Sequence, residues 1–347
     1  IAVAINDHDV EVTATSALAD VTITCVHKGD LFISLTLEIT KDEGDVGKNT
    51  LTLSGDKLTG GNGYPDETVG FINLAEDEYD YQATPFSSTT NLDRMRDFLD
   101  ARWQYNQQKF GHCVTTHHGN FGEHVAVGLA RNDKYITNMG VSNGLSPAWT
   151  YAAALGAIFA THLGTPPELS RPLQTLVMKG CRLPGKVYDL TERNSLLYDG
   201  IATFNKNPNG QMTIDRAITM YRLTDTDNPD ASWLDVNTLA QMVYFVRFMK
   251  GRLAGKFPRS ALVNVNPNNI AGQVSPPQIK REIEQGYLKL INLGVVENFG
   301  GFNKGLSVKR DDTDSNRVNI EMDVDVVNQL IVMAAVVTSH LQIEEGA

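Results

Sequence analysis

Cysteine is scarce in this chain. Cys25, Cys113 and Cys181 are the three present in 347 residues, far apart and without a C-x-x-C pair. Neither a disulfide framework nor a zinc ribbon is indicated, and synthesis in a reducing compartment is the default. Long apolar runs are also lacking. The longest, residues 151–160, falls well short of the roughly 18 residues a membrane-spanning helix needs, and no charged-then-apolar signal sequence opens the chain. Excess positive charge is missing too: 30 Lys and Arg stand against 41 Asp and Glu, a net charge of -11. That balance provides no long-range field for nucleic acid or an anionic membrane, so any basic surface is local. The first residue is Ile, with no initiator Met, which reads as a trimmed product whose upstream segment is missing. What is present is ordinary globular material: 41% hydrophobic residues and a length sufficient for two to three domains at roughly 150 residues each.

The pattern divides the chain in three. Residues 10–63 cluster β-branched residues between turn signals and read as a small all-β module over 1–64, with Thr59-Gly60-Gly61-Asn62-Gly63-Tyr64-Pro65 as its boundary to the next domain. Those glycines are not a phosphate loop, because no Gly-Lys-Ser/Thr comes after them. Residues 65–170 alternate strands (79–84, 112–116, 135–140) with helices (a face of Leu92, Met95, Phe98, Leu99 and Trp103; 123–131; 147–163, capped by Ser146), the signature of a parallel sheet covered by helices. The last of these helices, rich in Ala and Gly, reads as buried on most sides. Residues 171–347 read as a mixed α+β domain. It begins with a buried strand at 173–178 and a helix entered through Thr191 and closed by Gly200. A hairpin about Asn207-Pro208-Asn209-Gly210 comes next, then a long helix from Asp235 to about Lys256. A helix capped by Ser275 with Pro276 and Pro277 at its start, an Asp-rich hairpin tip at 311–315 and a strand at 317–322 complete it.

Two features resemble enzyme chemistry. Gly140-Val141-Ser142-Asn143-Gly144 has the G-x-S-x-G form of a nucleophile elbow between a strand and a helix. Leu145 and Ser146 intervene before the helix, however, and the histidines downstream of Ser142 are His162 and His340, neither placed for a hydrolase triad. His112, Cys113, His117, His118 and His124 gather five metal-ligand types in thirteen residues. On a strand, His112 and His118 face one way and Cys113 and His117 the other, so only pairs converge, and no HExxH completes a site. Structural or surface histidines are the better reading. A His117–His118 pair beside a turn is expected to titrate near neutrality and tune an interface. No catalytic, cofactor-binding or metal-ligating residue is assigned.

The chain is organised around residues 171–204, RPLQTLVMKGCRLPGKVYDLTERNSLLYDGIATF, whose polar residues are not spaced for catalysis. This stretch resembles the signature of contractile tail sheath proteins of Mu-like bacteriophages. The matching residues are 171–176, Glu192-Arg193-Asn194, Leu196-Leu197, Asp199-Gly200-Ile201 and the strand Ile214-Asp215-Arg216-Ala217-Ile218-Thr219. LAEDEYDYQATPF, MGVSNGLSPAW and AAALGAIFATHL resemble further segments of the family. The resemblance implies a subtilisin-like topology for the parallel α/β domain and an α+β sheath core for 171–347. It implies a structural subunit, not an enzyme, that polymerises helically with itself around a tail tube protein and contracts to drive the tube through the host envelope. Baseplate and tail terminator proteins are the further partners implied, with no nucleic acid and no membrane insertion. The location implied is the virion tail, after assembly in the host cytoplasm. The alternative is a soluble α/β serine hydrolase using Ser142.

Two segments are left with two readings each. The basic run Arg247, Lys250, Arg252, Lys256 and Arg259 complements the dipole at a helix C-terminus; under the family resemblance, Arg247, Lys250 and Arg252 are instead candidates for facing the tube. Residues 329–343 are β-prone and nearly uncharged. They form either an internal core strand or a terminal strand exchanged with a neighbouring subunit, with Leu330, Val332, Ala334 and Val336 on the pairing segment.

Overall fold

The computed structural model describes residues 1–8, 12–29, 37, 39, 52–55 and 57–337. The fold is mixed α/β. By its contacts the chain forms two compact units, Ile1–Thr165 with Leu173–Arg247, and Pro166–Pro172 with Phe248–Ala347. This division differs from the boundaries at 64 and 170 that the sequence pattern suggests.

The first unit opens with a short helix, α1 (Ala2–Asn6), and an antiparallel hairpin, β1 (Val12–Ala17) with β2 (Asp20–Cys25). The Asn6 side chain ties helix to hairpin, donating to the Ala14 carbonyl at 2.8 Å and accepting the Ala14 amide at 2.7 Å. The β pattern expected over 30–36 and 40–51 lies outside the described residues.

After α2 (Thr68–Leu74), three strands form a parallel sheet in chain order: β3 (Tyr81–Ala83), β4 (His112–His118) and β5 (Ile136–Val141). Helices α3 (Thr89–Trp103), α4 (Phe121–Leu129) and α5 (Ala148–His162) alternate with them. The two-residue period of a strand sorts the core onto both faces of this sheet. Val114, Met139 and Val141 pack with Tyr151, Leu155 and Phe159 of α5. Cys113 and Ile136 pack on the other face with Leu92, Met95 and Leu99 of α3. Helix α4 starts as its sequence dictates: the Asn120 side chain accepts the Glu123 amide at 3.1 Å, and Glu123 reaches back to the Asn120 amide at 2.8 Å. Helix α5 departs from expectation twice. It starts after Pro147, and Ser146 turns its hydroxyl to the Arg182 amide at 3.0 Å instead of capping the helix. It is buried along one broad face, with Ala153, Ala157 and Ala160 exposed.

The organising stretch also differs from expectation in one element. Residues 173–178 are not a regular strand. Thr175 adopts φ +73, which interrupts an extended run, and pairing survives as single bonds such as Met178 N to Met212 O at 3.0 Å. Helix α6 (Leu190–Tyr198) is entered through Asp189, not Thr191: Asp189 accepts the Glu192 amide at 2.8 Å in a reciprocal capping box. Gly200, at φ +79, ends that turn as expected. Antiparallel β6 (Thr203–Lys206) and β7 (Met212–Arg216) come next, turned by Gly210 at φ +79.

Helix α7 (Val236–Lys256) runs from the first unit's last residues into the second. In the second unit, β8 (Ala261–Leu262) pairs in parallel with β9 (Gln273–Val274). Helix α8 (Pro276–Asn292) buries Ile279, Ile283, Tyr287 and Leu290 on one face, as its periodicity predicts. The Tyr287 ring stacks on Phe302 at 3.6 Å between centroids, and its hydroxyl donates to the Glu297 carbonyl at 2.6 Å. Phe302 belongs to α9 (Phe299–Gly305), a helix that its glycine-rich sequence FGGFNKG concealed. A hairpin, β10 (Ser307–Arg310) with β11 (Val318–Glu321), closes the described fold. Its tip is organised by Asp311, whose carboxylate accepts from the Thr313 hydroxyl and amide and from the Asp314 amide, bonds that hold its pKa well below the usual carboxylate range.

Candidate functional site

Ser142 lies at the end of β5 with little exposure, and its carbonyl accepts the Lys186 amide at 3.4 Å. The amides just beyond it are already used. Those of Leu145 and Ser146 both donate to the Tyr151 hydroxyl at 3.2 Å, and that hydroxyl donates to the Arg182 carbonyl at 2.7 Å. An oxyanion hole needs unoccupied donors aimed at the reacting centre, whereas here the donors are closed onto a tyrosine. Helix α5 begins at Ala148, too late to direct its first-turn amides at Ser142. Among the described residues no histidine is hydrogen-bonded to the Ser142 hydroxyl.

The histidines divide between the faces of β4 as strand geometry requires. His112 stands near Phe159 and His118 near Tyr151 on the α5 side, while His117 meets α4. Strand periodicity alone did not show that His124 reaches back from α4, its Nδ1 lying 2.9 Å from His117 Nδ1. One shared proton between two neutral rings satisfies that contact. Burial penalises the charged form and pulls His124 down to about 3 and His118 to about 4, with His117 also lowered, so of the pair expected to titrate near neutrality His118 does not, and His117 is shifted below its ordinary value. Among the described residues no three His, Cys, Asp or Glu side chains converge as a metal site.

The basic positions on α7 are not alike. Arg247 forms ion pairs with Glu78 at 2.5 Å and Asp80 at 2.6 Å. Arg252 pairs with Glu282 at 2.5 Å and is mostly buried. Lys250 is exposed. Helical spacing places Arg247 and Lys250 about 60° apart and Arg252 about 140° from Arg247, so the three do not share one face. Residues 328–337 form neither helix nor strand, and Leu330, Val332, Met333, Val336 and Val337 are exposed, Val336 at 97%. The internal core strand among the two readings is therefore corrected for these residues; 338–347 lie outside the described part.

The chain matches the profile of the phage tail sheath protein central domain over residues 60–220 and that of the phage tail sheath C-terminal domain over 228–338. It is 33% identical over 333 residues to the Mu-like prophage FluMu tail sheath protein of Haemophilus influenzae, covering 94% of this chain and 68% of that one. The chain belongs to the phage tail sheath family. It is a structural sheath subunit, a component of the virion tail, and its fold agrees with that assignment. The sheath tail protein of Desulfitobacterium hafniense superposes with a TM-score of 0.55 at 14% identity, over 90% of this chain and 68% of that one. That of Listeria innocua gives 0.53 at 14% identity, over 88% and 63%. A chain of the anti-feeding prophage baseplate gives 0.52 at 11% identity, over 79% and 72%. The sheath family assignment leaves the serine hydrolase alternative without support, in keeping with the closed environment of Ser142. No helix among the described residues is long and apolar enough to cross a membrane.

Proposed function

We propose that this sheath subunit polymerises helically around a tail tube and contracts to drive the tube through the host envelope, with apolar strand exchange between copies as its linkage. The observation that carries the proposal is the exposed segment 328–337. Five large apolar side chains, Leu330, Val332, Met333, Val336 and Val337, are exposed on a segment that forms neither helix nor strand. Such a segment is costly to leave open and gains main-chain hydrogen bonds by adding to a neighbour's sheet. Leu330, Val332, Ala334 and Val336 are the pairing residues in this reading.

The same reading makes the role structural and not catalytic, with assembly in the host cytoplasm and with tube, baseplate and terminator proteins as partners. It takes residues 65–170 as a subtilisin-like domain, supported by the parallel order β3-β4-β5 with helices on both faces, and 1–64 as a β module, supported by the β1–β2 hairpin. Of the tube-facing candidates Arg247, Lys250 and Arg252, Lys250 carries the proposal, because the other two charges are held by carboxylates of their own chain. The test is Val332→Asp with Val336→Asp. The folded subunit keeps its melting temperature while sedimentation shows polymer lost. Full polymerisation of the double variant overturns strand exchange.

A further inference from the structure

A pocket of about 60 Å³ opens within the first unit, at the start of β4 and against α7. Its lining includes four aromatic residues, Tyr81, Trp103, Phe110 and Tyr244, together with His112. His112 is 4% exposed; its Nε2 meets the Thr137 hydroxyl at 2.8 Å, while its Nδ1 is buried without a hydrogen-bond partner. At the rim, Asp80 and the adjacent Glu78 hold Arg247, whose guanidinium also lies 5.8 Å from the Phe110 ring centre. Of these charges Asp80 and Arg247 line the pocket and Glu78 pairs with Arg247 beside it, so two carboxylates stand against one guanidinium at the mouth.

We propose that this pocket binds the ε-ammonium of a lysine side chain, supplied by residues 248–347 of a second copy of the chain. Aromatic faces attract a cation through their quadrupoles, and an ammonium without a hydration shell needs acceptors. With the His112 proton on Nε2, donated to Thr137, Nδ1 offers a lone pair, and Asp80 and Glu78 supply the balancing charge. An anion would meet that net negative rim, and a neutral aliphatic chain would leave Nδ1 unpaired, which carries the desolvation cost of a buried polar atom. The source is argued from charge segregation. Residues 248–347 contain eleven Lys and Arg and eleven Asp and Glu, so the whole net charge of -11 resides in residues 1–247. A neighbour's 248–347 segment, with Lys256, Lys289, Lys304 and Lys309 exposed, is thus the part of another copy least repelled from this acidic rim. The donor's identity rests on the assembly proposed above; the preference for an ammonium does not.

The first experiment titrates the full chain with N-acetyl-lysine methylamide while following the Trp103 indole resonance, assigned through Trp103→Phe. A saturable shift is expected, with N-acetyl-norleucine methylamide, which lacks the charge, binding about tenfold more weakly or worse. Asp80→Asn and, separately, Tyr244→Leu are expected to weaken the lysine probe by about the same factor, with resonances distant from the pocket unchanged. Equal binding of the norleucine compound, or no saturable shift at Trp103, overturns the ammonium site. The second experiment cross-links a mixture of ¹⁴N and ¹⁵N chains with a carbodiimide. A mixed-isotope peptide joining Asp80 or Glu78 to a lysine of 248–347 is expected. Links confined to one isotope, links to lysines of 1–247, or no links at all overturn the second copy as donor. Sedimentation of the same samples reports assembly separately, so failure of the polymer and failure of the pocket are distinguishable.

Discussion

His117, His118 and His124, with the buried His112, contribute to the acid behaviour of the first unit. Each has its folded pKa below the unfolded value near 6.5, reaching about 4 for His118 and about 3 for His124, because burial disfavours the imidazolium. The unfolded chain therefore takes up these protons first as the pH falls. Stability contributed by the neutral rings is complete above pH 6.5 and is lost progressively between about 6.5 and 3, with Glu123 beside His117 opposing the loss in part. Denaturant unfolding at pH 7.5, 6 and 4.5 is expected to show this decline, and His118→Gln to flatten it. Equal stability at the three pH values would place these rings in water. Ser142→Ala, by contrast, removes a hydroxyl with no catalytic partners, and is expected to shift stability by less than about 1 kcal/mol and to leave assembly intact.

Close contacts between elements make a different set of demands. Helix α4 approaches the end of α6 at Gly128, where a Cβ would come within 2.1 Å of the Asp199 carbonyl oxygen. Gly128→Ala is expected to destabilise the fold by about 1–3 kcal/mol through overpacking, measured by urea unfolding; a neutral result would mean the two helices separate freely. Tyr151→Phe leaves the Leu145 and Ser146 amides without their acceptor and is expected to cost about 1–3 kcal/mol by the same measurement. Contacts of this kind also explain what the sequence made legible. The alternation of strand and helix signals over 112–162, the periodic face of α8, and the glycines at 200 and 210 act through local geometry, so each could be read from neighbouring residues. The departures have mixed causes, some local and some between elements. Asp189 outcompetes Thr191 because it sits three residues before Glu192, Thr175 breaks its strand through a turn conformation, and α9 forms from glycines because Phe302 is buried against Tyr287. The His117–His124 contact joins a strand to a helix, which spacing along one strand does not reveal.

On the scale of the whole molecule, family membership was readable because residues 171–219 carry a long, specific motif, whereas surfaces were not readable from charge runs alone. Arg247 and Arg252 are spent on carboxylates of their own chain, Asp80 and Glu78 among them, that lie far away in sequence. The exposed apolar side chains between Leu330 and Val337 are what the strand-exchange proposal rests on. The central claim is that this sheath subunit builds a polymer around a tube, and electron microscopy of the protein co-expressed with its tail tube protein tests it most directly. Striated hollow cylinders enclosing the tube are predicted, and they should vanish with Val332→Asp and Val336→Asp. Dispersed single subunits beside naked tubes, at concentrations where both proteins are folded, would contradict the account.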